Sequence, residues 1–381
     1  MERIPFTEEQ NMFRESAREF FKRQIGPRKE EWRQAGAVSR DAFAQAGEAG
    51  LLCMWADEKH GGLGLEDFRY EQIIIEENAW HGDPCFFLTL HSRLVAPYFK
   101  HFGTEEQRER FLPGFVSGES ILAIAMTEPD AGSDLAGMRS TARRDGDDWI
   151  LNGQKTYISN GIIGDVVIVA AKTDPDKTHQ MGLFIVERGM GGFERGRNLK
   201  KMGMKGQDTA ELFFEDVRIP NDNVLGHPEQ GFYHLMQGLV EERLIAAVGN
   251  LVAAQVALDL TYDFVRERMV FGKPLSKMQN TRFKLAPLDA EADLSQAYID
   301  RAVQVHNEGR LTPEDAARIK LFSSELNGRV VDECLQLHGG AGYMDEYEIC
   351  HLYKDERINR ILAGSSEIMK EIIARQILDK R

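Results

Sequence analysis

The spacing of hydrophobic residues divides the chain into three regions. Over residues 7 to about 120, apolar residues recur every three to four positions, which predicts amphipathic helices. Gly-Pro and other glycine-containing segments separate these helices, and Thr7 followed by Glu9 and Gln10 predicts an N-cap at the start of the first one. The first region is therefore expected to be a helical domain.

The middle region, from residue 121 to about 224, has a different pattern. Its apolar residues fall in short runs rich in β-branched and aromatic residues: ILAIAMT, MRSTARR, WILNG, KTYISN, DVVIVAAKT, GLFIVER and ELFFEDVRI. Asn and Gly accept the positive φ that tight hairpins need, and three such pairs are predicted turns: Asp145-Gly146, Asn152-Gly153 and Asn160-Gly161. No helical pattern alternates with these runs, so an antiparallel β-domain is expected and a doubly wound parallel sheet is disfavoured.

Helical periodicity returns after Gly231, with amphipathic runs over roughly 231–270, 277–308 and 313–337. Short loops containing Gly or Pro join these runs, which is typical of an antiparallel four-helix bundle. The predicted fold is therefore α+β and multidomain. It has an N-terminal helical domain at 1–120, a β-barrel-like domain at 121–226 and a C-terminal helical bundle at 227–381.

Composition narrows the class of protein. The 381 residues are 42% hydrophobic and 28% charged, as expected for a globular chain with a sizeable core. Lys and Arg total 47 against 61 Asp and Glu, so the net charge is −14, and no nucleic-acid partner is expected. No segment approaches the roughly 20 apolar residues of a membrane helix, so no membrane span is expected either.

The cysteines and the N-terminus bear on the cellular compartment. The four cysteines include no close pair, which gives neither a disulfide framework nor a CxxC metal site and fits a reducing compartment. The N-terminal residues show neither an apolar leader nor an Arg/Ser-rich transit segment, so a cytoplasmic location is expected. The ten histidines are scattered and no HExxH motif occurs, so no metal site is predicted.

Two segments of the middle region carry candidate ligand-binding groups. The run from Met126 to Asp134, MTEPDAGSD, follows a predicted strand and combines hydroxyls with free backbone amides, which suits an anion or the polar edge of a ring. In KTYISNG, Tyr157 and Ser159 share one face of a strand, where an aromatic ring and a hydroxyl could hold a flat heterocycle. A plain surface turn and an ordinary half-buried strand explain the same patterns, so both interpretations stay open.

Glu242 is the most informative carboxylate of the bundle. Residues three, four and seven positions away form an apolar stripe: Leu235, Gly238, Leu239, Ile245, Ala246 and Gly249. A carboxylate there is either paired with a cation or held with a raised pKa by burial, and a general base near neutral pH needs the second state. The pattern alone favours the structural ion pair, although the two glycines, which would leave a gap for a ligand, reduce that preference.

Two glycine-rich segments interrupt the C-terminal helices, QLHGGAGY at 336–343 and AGSSE at 363–367. Glycine lets a backbone approach a ligand closely. No strand precedes the first segment and its glycine spacing differs from a dinucleotide fingerprint, so that interpretation is weak. Its histidine, His338, is expected to serve packing or hydrogen bonding. A nucleophile elbow and a P-loop are both absent from the sequence.

Seven segments of the sequence, taken in their order along the chain, resemble the acyl-CoA dehydrogenase family over essentially the whole chain. The long-chain and isovaleryl branches of that family are the most similar. The segments that carry the resemblance are AMTEPDAGSDL (125–135), DGDDWILNGQKTYISNG (145–161), ELFFEDVRIP (211–220), ERLIAA (242–247), RMVFGKPL (268–275), QLHGGAGY (336–343) and AGSSEI (363–368). The resemblance implies FAD bound noncovalently between the β-domain and the bundle. It also implies a homotetramer in which one subunit helps to bind its neighbour's FAD.

The same resemblance assigns cofactor contacts. Met126 and Thr127 would meet the pyrimidine edge of the flavin, Tyr157 would flank the ring and Ser159 would approach N5. Ser133 would lie near the cofactor phosphates and the CoA chain. Positions that would reach the partner subunit's adenine and pyrophosphate are Arg268, Phe271, Gln279, Gln336, Gly339 and Gly340. Positions that would close over the rest of the FAD are Ser365, Ser366 and Glu367.

One position departs from the pattern of many family members. They carry the catalytic glutamate where this chain has Ala363, which has no proton acceptor. In the long-chain and isovaleryl branches the base instead precedes an Arg on a bundle helix, which points to Glu242 before Arg243, with Glu241 as the alternative. The resemblance therefore favours a base at Glu242 over a structural ion pair.

The implied reaction is the α,β-dehydrogenation of a long-chain or branched acyl-CoA to the trans-2-enoyl-CoA. Glu242 would take the α-proton and the β-hydrogen would leave as hydride to flavin N5. A flavin ribityl hydroxyl and the Ala363 N–H would stabilise charge on the thioester oxygen. Residues implied to contact the acyl-CoA are Ser133, Tyr233, Arg243, Ala363 and Gly364. By analogy, an electron-transfer flavoprotein would accept the electrons.

Two rival functions stay open at this point. One is an oxygen-using, acyl-CoA oxidase-like enzyme, and the other is a non-catalytic flavin-binding relative, suggested by Ala363. The acyl cavity would be bounded by helices around 85–100 and 240–250. Its candidate lining residues, which suit a hydrophobic core equally well, are Phe86, Phe87, Leu90, Leu94 and Leu239.

Overall fold

The computed structural model describes residues 3–379 and has the three predicted regions in the predicted order. Residues 1, 2, 380 and 381, at the ends of the predicted terminal domains, lie outside the described residues. The predicted α+β class is confirmed: along the chain, a helical region comes first, a β-sheet region follows, and a second helical region comes last.

The N-terminal region is helical. Its helices are α1 (Glu8–Phe20), α2 (Lys29–Ala35), α3 (Arg40–Glu48), α4 (Phe68–His81), α5 (Pro97–Phe102) and α6 (Glu105–Ser117), with a π-helical segment at Leu90–Val95. Thr7 begins α1 as predicted, because its hydroxyl accepts from the Gln10 N–H at 3.2 Å and the Gln10 side chain accepts from the Thr7 N–H at 3.1 Å. The core of this region includes the fully buried rings of Phe21, Phe43 and Phe86.

The middle region is a single eight-stranded sheet. Its strands are β1 (Leu122–Ala125), β2 (Thr141–Asp145), β3 (Asp148–Ser159), β4 (Val166–Lys172), β5 (Met181–Glu187), β6 (Phe193–Asn198), β7 (Thr209–Ile219) and β8 (Val224–Leu225). Seven follow the order β6-β7-β3-β2-β4-β5-β8, and β1 pairs with β4. Most pairs are antiparallel as expected, but β1 and β2 each pair with β4 in parallel, so the sheet is mixed.

The predicted turn at Asn152-Gly153 is wrong. Residues 148–159 form one strand, β3, and a shift in its register against β7 between Leu151 and Gly153 marks a β-bulge. A Cβ at Gly153 would lie 2.3 Å from Ser140 Oγ, so this glycine serves a close approach between strands. The predicted strand MRSTARR also begins later than expected, at Thr141.

The C-terminal region contains three long helices close to the predicted runs. They are α7 (Gly231–Glu267), α8 (Gln279–Asn307) and α9 (Pro313–His338); α10 (Glu348–Glu356) and α11 (Ser366–Leu378) follow, and a short hairpin of β9 (Met269–Val270) and β10 (Lys273–Pro274) separates α7 from α8. The helices α7, α8 and α9 pack on one another, and α10 and α11 pack against α9. This arrangement forms the C-terminal bundle.

The helix α7 connects all three regions. It begins in direct contact with β5, because a Cβ at Gly231 would lie 2.8 Å from the Met181 carbonyl oxygen. It then packs against α4 of the N-terminal region and against α9 of the bundle. A side chain on α7 can therefore face the junction between the regions.

By length and composition α7 is also apolar enough to cross a membrane, with a mean hydropathy of 1.6 over its most apolar window. The sequence-based expectation that no segment meets this criterion is wrong. However, 67% of that window is buried inside the protein, and a core helix of a soluble protein passes the same test. Burial against α4 and α9 accounts for the apolar surface of α7.

Candidate active site

Glu242 lies on α7 at this junction. Within residues 3–379, no side chain forms a hydrogen bond or an ion pair with its carboxylate. Burial raises the pKa of Glu242, and the positive charges of Arg243 and Lys320 oppose that shift. An uncommitted carboxylate whose pKa is shifted towards neutrality is the state that a general base requires.

Its neighbour Glu241 is in the opposite state. The Glu241 carboxylate accepts from Arg93 Nε at 2.5 Å and lies 2.9 Å from His306 Nε2. Burial alone would raise the pKa of Glu241, but the hydrogen bond with His306 and the charge of Arg93 outweigh it and lower the pKa. The sequence allowed either a structural ion pair or a buried carboxylate with a raised pKa at Glu242. The structure has the ion pair at Glu241 and the carboxylate with the raised pKa at Glu242.

Arg243 faces the turn that precedes α11. Its side chain is 6% exposed, and its buried Nε has no hydrogen-bond partner in the described chain. A Cβ at Gly364 would lie 3.9 Å from Arg243 Nη2. Because buried donors are normally paired, the unpaired Nε makes the Arg243 side chain a candidate contact for a bound ligand.

The turn itself has an unusual backbone. Ala363 has φ +56° and Gly364 has φ +90°, both in the left-handed region. Glycine adopts this region freely, whereas alanine does so at a cost. The turn therefore depends on contacts from the rest of the protein.

Lys320, on α9, supplies one such contact, and sequence reasoning missed it. Its side chain is fully buried, and its Nζ donates to the Gly364 carbonyl oxygen at 2.7 Å. Burial and, secondly, the charge of Arg243 lower the pKa of Lys320 to about 8. A sequence signal existed, because residues three and four positions away on both sides are small and face the core: Ala316, Ala317, Ser323 and Ser324.

The gap expected at Gly238 is filled by another side chain. A Cβ at Gly238 would lie 2.6 Å from the Tyr98 hydroxyl oxygen, so the phenol packs directly against α7 one turn before Glu242. Tyr98 is buried and interacts electrostatically with Glu242. The glycine therefore makes room for a protein side chain at this point.

The predicted flavin-contacting residues lie on the loop after β1 and on β3. The Thr127 hydroxyl donates to the Thr156 carbonyl oxygen, and the Thr156 N–H donates to the Thr127 carbonyl oxygen at 2.9 Å, so the loop is fastened to the strand. Met126 is partly buried and Ser133 is exposed. The Tyr157 side chain is 71% exposed, with φ +61°.

Register explains how the strand presents these groups. A shift in the pairing of β3 with β7 occurs between Lys155 and Ile158, which places Tyr157 in a bulge. Ile158 points into the sheet core, whereas Tyr157 is exposed and Ser159 is half-buried on the other side. Tyr157 is therefore accessible from outside the sheet, and Ser159 is partly so.

A buried ion pair that the sequence analysis did not identify supports the same loop. Lys155 Nζ lies 2.8 Å from Glu128 Oε1 and also donates to the Met126 carbonyl oxygen at 3.1 Å. The Glu128 carboxylate accepts from the N–H groups of Arg139 at 2.6 Å and Ser140 at 3.0 Å. One carboxylate thus joins β3, the loop after β1 and the start of β2.

A second group of predicted cofactor residues lies far from Glu242. At 1.5 Å per residue, the stretch of α7 between Glu242 and Arg268 spans about 39 Å. The ring of His338 stacks on Phe264 with centroids 4.1 Å apart, which brings the glycine-rich segment to the same distal end of α7. The exposed residues grouped there are Arg268, Phe271, Gln279, Gln336, Gly339 and Gly340.

The remaining predicted residues lie around the start of α11 and of α7. Ser365 caps α11 by accepting from the Ile368 N–H, and the Ser366 hydroxyl donates to Glu325 at 2.6 Å. Glu367 is exposed in the first turn. Tyr233, on the first turn of α7, has a side chain that is 60% exposed.

The candidate cavity-lining residues divide into two sets. Phe86 belongs to the N-terminal core, which supports the core interpretation for that residue. Phe87 and Leu94 pack against two different cores, that of the bundle and that between the sheet and the N-terminal helices. These two side chains therefore lie at the junction that α7 crosses.

Comparison with known proteins agrees with this geometry. Models of the N-terminal, middle and C-terminal domains of acyl-CoA dehydrogenase match residues 7–119, 123–217 and 229–378. The long-chain specific acyl-CoA dehydrogenase of Mus musculus is 46% identical over 98% of this chain and 87% of its own. The isovaleryl-CoA dehydrogenase of Pongo abelii is 34% identical over 97% of this chain and 88% of its own.

Solved structures show the same relationship. An acyl-CoA dehydrogenase from Geobacillus kaustophilus superposes with a TM-score of 0.97 at 44% identity, covering 99% of this chain and 100% of its own. A glutaryl-CoA dehydrogenase from Mycobacterium smegmatis, in complex with FADH2, gives a TM-score of 0.91 at 29% identity, covering 98% and 96%. The resemblance found in the sequence is confirmed, and the chain belongs to the acyl-CoA dehydrogenase family of flavoprotein oxidoreductases.

Proposed function

We propose that this protein is an FAD-dependent enzyme that oxidises a long-chain or branched acyl-CoA to the trans-2-enoyl-CoA, with Glu242 as the base. The observation that carries the proposal is the uncommitted Glu242 carboxylate beside Arg243, while Glu241 is held by Arg93 and His306. The similarity to a long-chain and an isovaleryl-CoA dehydrogenase supports the substrate class.

The residues of the β-domain fit a flavin. Tyr157 offers an open aromatic ring, Ser159 offers a hydroxyl on the same side, and Thr127 is fixed next to them by its bonds to Thr156. A Cβ at Gly132 would meet no atom within 4 Å, so the loop leaves room beside Ser133. The complex of the glutaryl-CoA dehydrogenase with FADH2 supports FAD as the flavin. When bound, FAD supplies the acceptor for the hydride.

The protein's own contribution is proton abstraction and charge stabilisation. An α-proton of a thioester is weakly acidic, so the base must act while the carbonyl oxygen receives hydrogen bonds. Glu242 takes the proton, and the Ala363 N–H, in the left-handed turn, donates to the thioester oxygen. The buried Arg243 lies beside that turn and balances the negative charge of the site. The half-exposed Tyr233 contacts the CoA arm.

The overall reaction can be tested directly by flavin bleaching. The purified protein is expected to be yellow, with close to one FAD per chain, and to lose its visible flavin absorbance when mixed anaerobically with a suitable saturated acyl-CoA. A panel of straight and branched acyl-CoAs identifies the substrate by the fastest bleaching. A yellow protein that no acyl-CoA bleaches would instead support a non-catalytic flavin-binding relative.

The proposal includes a homotetramer. Several apolar side chains at the distal end of α7 and on α8 are exposed in a single chain, among them Phe271 at 98%, Tyr343 at 78% and Phe283 at 69%. Such surface is typical of a face that another subunit covers. The distal cofactor residues lie about 39 Å along α7 from Glu242, which suits a role at a neighbour's cofactor.

Sedimentation equilibrium of the FAD-loaded protein is expected to give four times the mass of one chain. A Phe271→Asp variant should dissociate to smaller species and lose FAD together with the assembly, because a charge would be placed in a covered apolar face. A Lys277→Asp variant, which lowers the charge by two at a nearby exposed position, is the control for added negative charge. A monomer that keeps its FAD would contradict the proposed sharing of cofactor sites.

The proposed electron acceptor is an electron-transfer flavoprotein, and the proposed compartment is the cytoplasm. All four cysteines have free, buried thiols, which supports a reducing compartment. Rapid reoxidation of the substrate-reduced protein by air would favour the oxygen-using alternative. Slow reoxidation by air and fast reoxidation by an electron-transfer flavoprotein would support the proposed acceptor.

A further inference from the structure

We propose that Lys320 is a positioning residue for this reaction: its buried ammonium holds the Ala363–Gly364 turn and keeps the Glu242 carboxylate ionised. The inference rests on the proposed function of Glu242. It adds a residue of α9 that acts through the Ala363–Gly364 turn and the Glu242 carboxylate and does not itself take the proton.

The contact with the turn is direct. Lys320 Nζ donates to the Gly364 carbonyl oxygen at 2.7 Å, and the lysine side chain is fully buried. A hydrogen bond from a charged donor is stronger than a neutral one, particularly away from water. Ala363 occupies the left-handed region at a cost. The bond from the Lys320 ammonium to the carbonyl oxygen of the next residue, Gly364, helps to hold the Ala363 N–H in one orientation.

The charge of Lys320 has no close anionic partner. In the described part of the chain, no carboxylate lies within 4.0 Å of its Nζ, and the Gly364 carbonyl is its hydrogen-bond acceptor. A lysine buried without an ion pair is costly. A cation retained at that cost is more readily explained by an electrostatic role than by stabilisation of the fold.

The charged groups around Lys320 come from three helices. Glu242 and Arg243 face it from α7, Glu325 lies further along α9, and Glu367 lies at the start of α11. Tyr98, from the N-terminal region, also interacts with Glu242 and is neutral. Lys320 is thus a second cation, besides Arg243, whose field acts on the Glu242 carboxylate.

The sign of the effect follows from these charges. Burial raises the pKa of Glu242, and the charge of Lys320 pulls it down. Without that charge the carboxylate holds its proton to a higher pH and is a base over a narrower range.

The test uses the FAD-loaded protein and three variants: Lys320→Met, Lys320→Arg and Arg329→Met. Arg329 lies on the same helix, has a side chain that is 51% exposed and pairs with Glu291, so its replacement removes one charge away from the site. The rate of flavin reduction by a saturating acyl-CoA is measured against pH under anaerobic conditions. Glu242→Gln is measured in parallel.

Lys320→Met is expected to move the acidic limb of this profile to higher pH by on the order of one unit, with little change in acyl-CoA affinity. Arg329→Met should keep the wild-type profile, and Lys320→Arg should lie closer to the wild type than Lys320→Met does. If Glu242→Gln abolishes reduction but the Lys320→Met profile coincides with that of the wild type, the inference fails and the proposed base stands. If Glu242→Gln still reduces flavin, the proposed base itself fails.

A second readout does not depend on turnover. Burial lowers the pKa of Lys320 to about 8, below its ordinary 10.5, so between these values the unfolded chain binds the proton that the folded chain has lost. Stability contributed by this group therefore increases as pH rises from about 8 to 10.5. The difference in unfolding midpoint between wild type and Lys320→Met should change over that window, whereas an unchanged difference would show that the pKa of Lys320 is not lowered, which contradicts its burial without an ionic partner.

Discussion

A Glu242→Gln variant is expected to remain yellow and folded but to lose flavin reduction by acyl-CoA almost completely. The amide is nearly the same size as the carboxylate and cannot take a proton, and Glu242 has no hydrogen bond or ion pair to a described side chain that the change would break. A positioned general base contributes about 10²–10⁴ to a rate. Stopped-flow absorbance under anaerobic conditions measures the loss against the wild type.

The matched control is Glu241→Gln, one residue earlier on the same helix. This change weakens the bonds to Arg93 and His306 and should lower stability, but it leaves the proposed base in place. Substantial flavin reduction by Glu241→Gln and almost none by Glu242→Gln would assign the base. The reverse result would transfer the role to Glu241 and contradict the geometry.

The wild-type protein should also show a defined pH dependence. The base acts only when ionised, and burial raises the pKa of Glu242 above the ordinary 4.5 of a glutamate. The rate of flavin reduction should therefore rise with pH through a midpoint above that value. In Glu242→Gln the residual rate should lack this rising limb, because the titrating group is gone.

The parts of the fold that the sequence predicted depend on local chemistry. The helices α7, α8 and α9 follow from long 3.6-residue periodicity, and Thr7 was predicted as the N-cap of α1, where the structure shows a capping box with Gln10. Glu242 was singled out because its neighbours on the helix face are apolar. In each case the informative residues lie within a few positions of one another along the chain.

The errors and omissions concern contacts between segments distant in sequence. Asn152-Gly153 resembles a turn locally, but β7 continues beside it and Ser140 packs on the glycine, so the strand continues. Gly238 suggested a gap on the face of α7. The residue that fills this gap, Tyr98, comes from a distant part of the sequence and could not be inferred from the pattern of α7. Lys155 resembles an ordinary surface lysine in the sequence, and the small residues around Lys320 on its helix do not by themselves place it in the core; tertiary structure shows that both side chains are fully buried.

Lys155 leads to the prediction with the largest effect on stability. Replacing it with Met would leave the Glu128 carboxylate buried without its cation, and breaking a buried ion pair on one side typically costs about 3–5 kcal/mol. The Met126 carbonyl oxygen would lose a donor as well. Lys155→Met should therefore loosen the loop after β1 together with β3, where Thr156 is bonded to Thr127.

Native-state hydrogen exchange locates this effect, because the amides of Arg139, Ser140 and Thr156 are bonded within the affected network. They should exchange much faster in Lys155→Met, while amides in the middle of α8 should change far less. A Lys177→Met variant, which replaces an exposed lysine, is the control and should behave like the wild type.

The double variant Lys155→Met with Glu128→Gln distinguishes the cost of an uncompensated charge from the loss of packing. Removing both charges should recover part of the stability lost in Lys155→Met, because a neutral amide is easier to bury than a lone carboxylate. Recovery should be incomplete, since Gln offers a single acceptor oxygen to the N–H groups of Arg139 and Ser140. If Lys155→Met alone costs no more than Lys177→Met, the ion pair does not hold the loop after β1, and the fixed position of Thr127 must depend on its bonds to Thr156 alone.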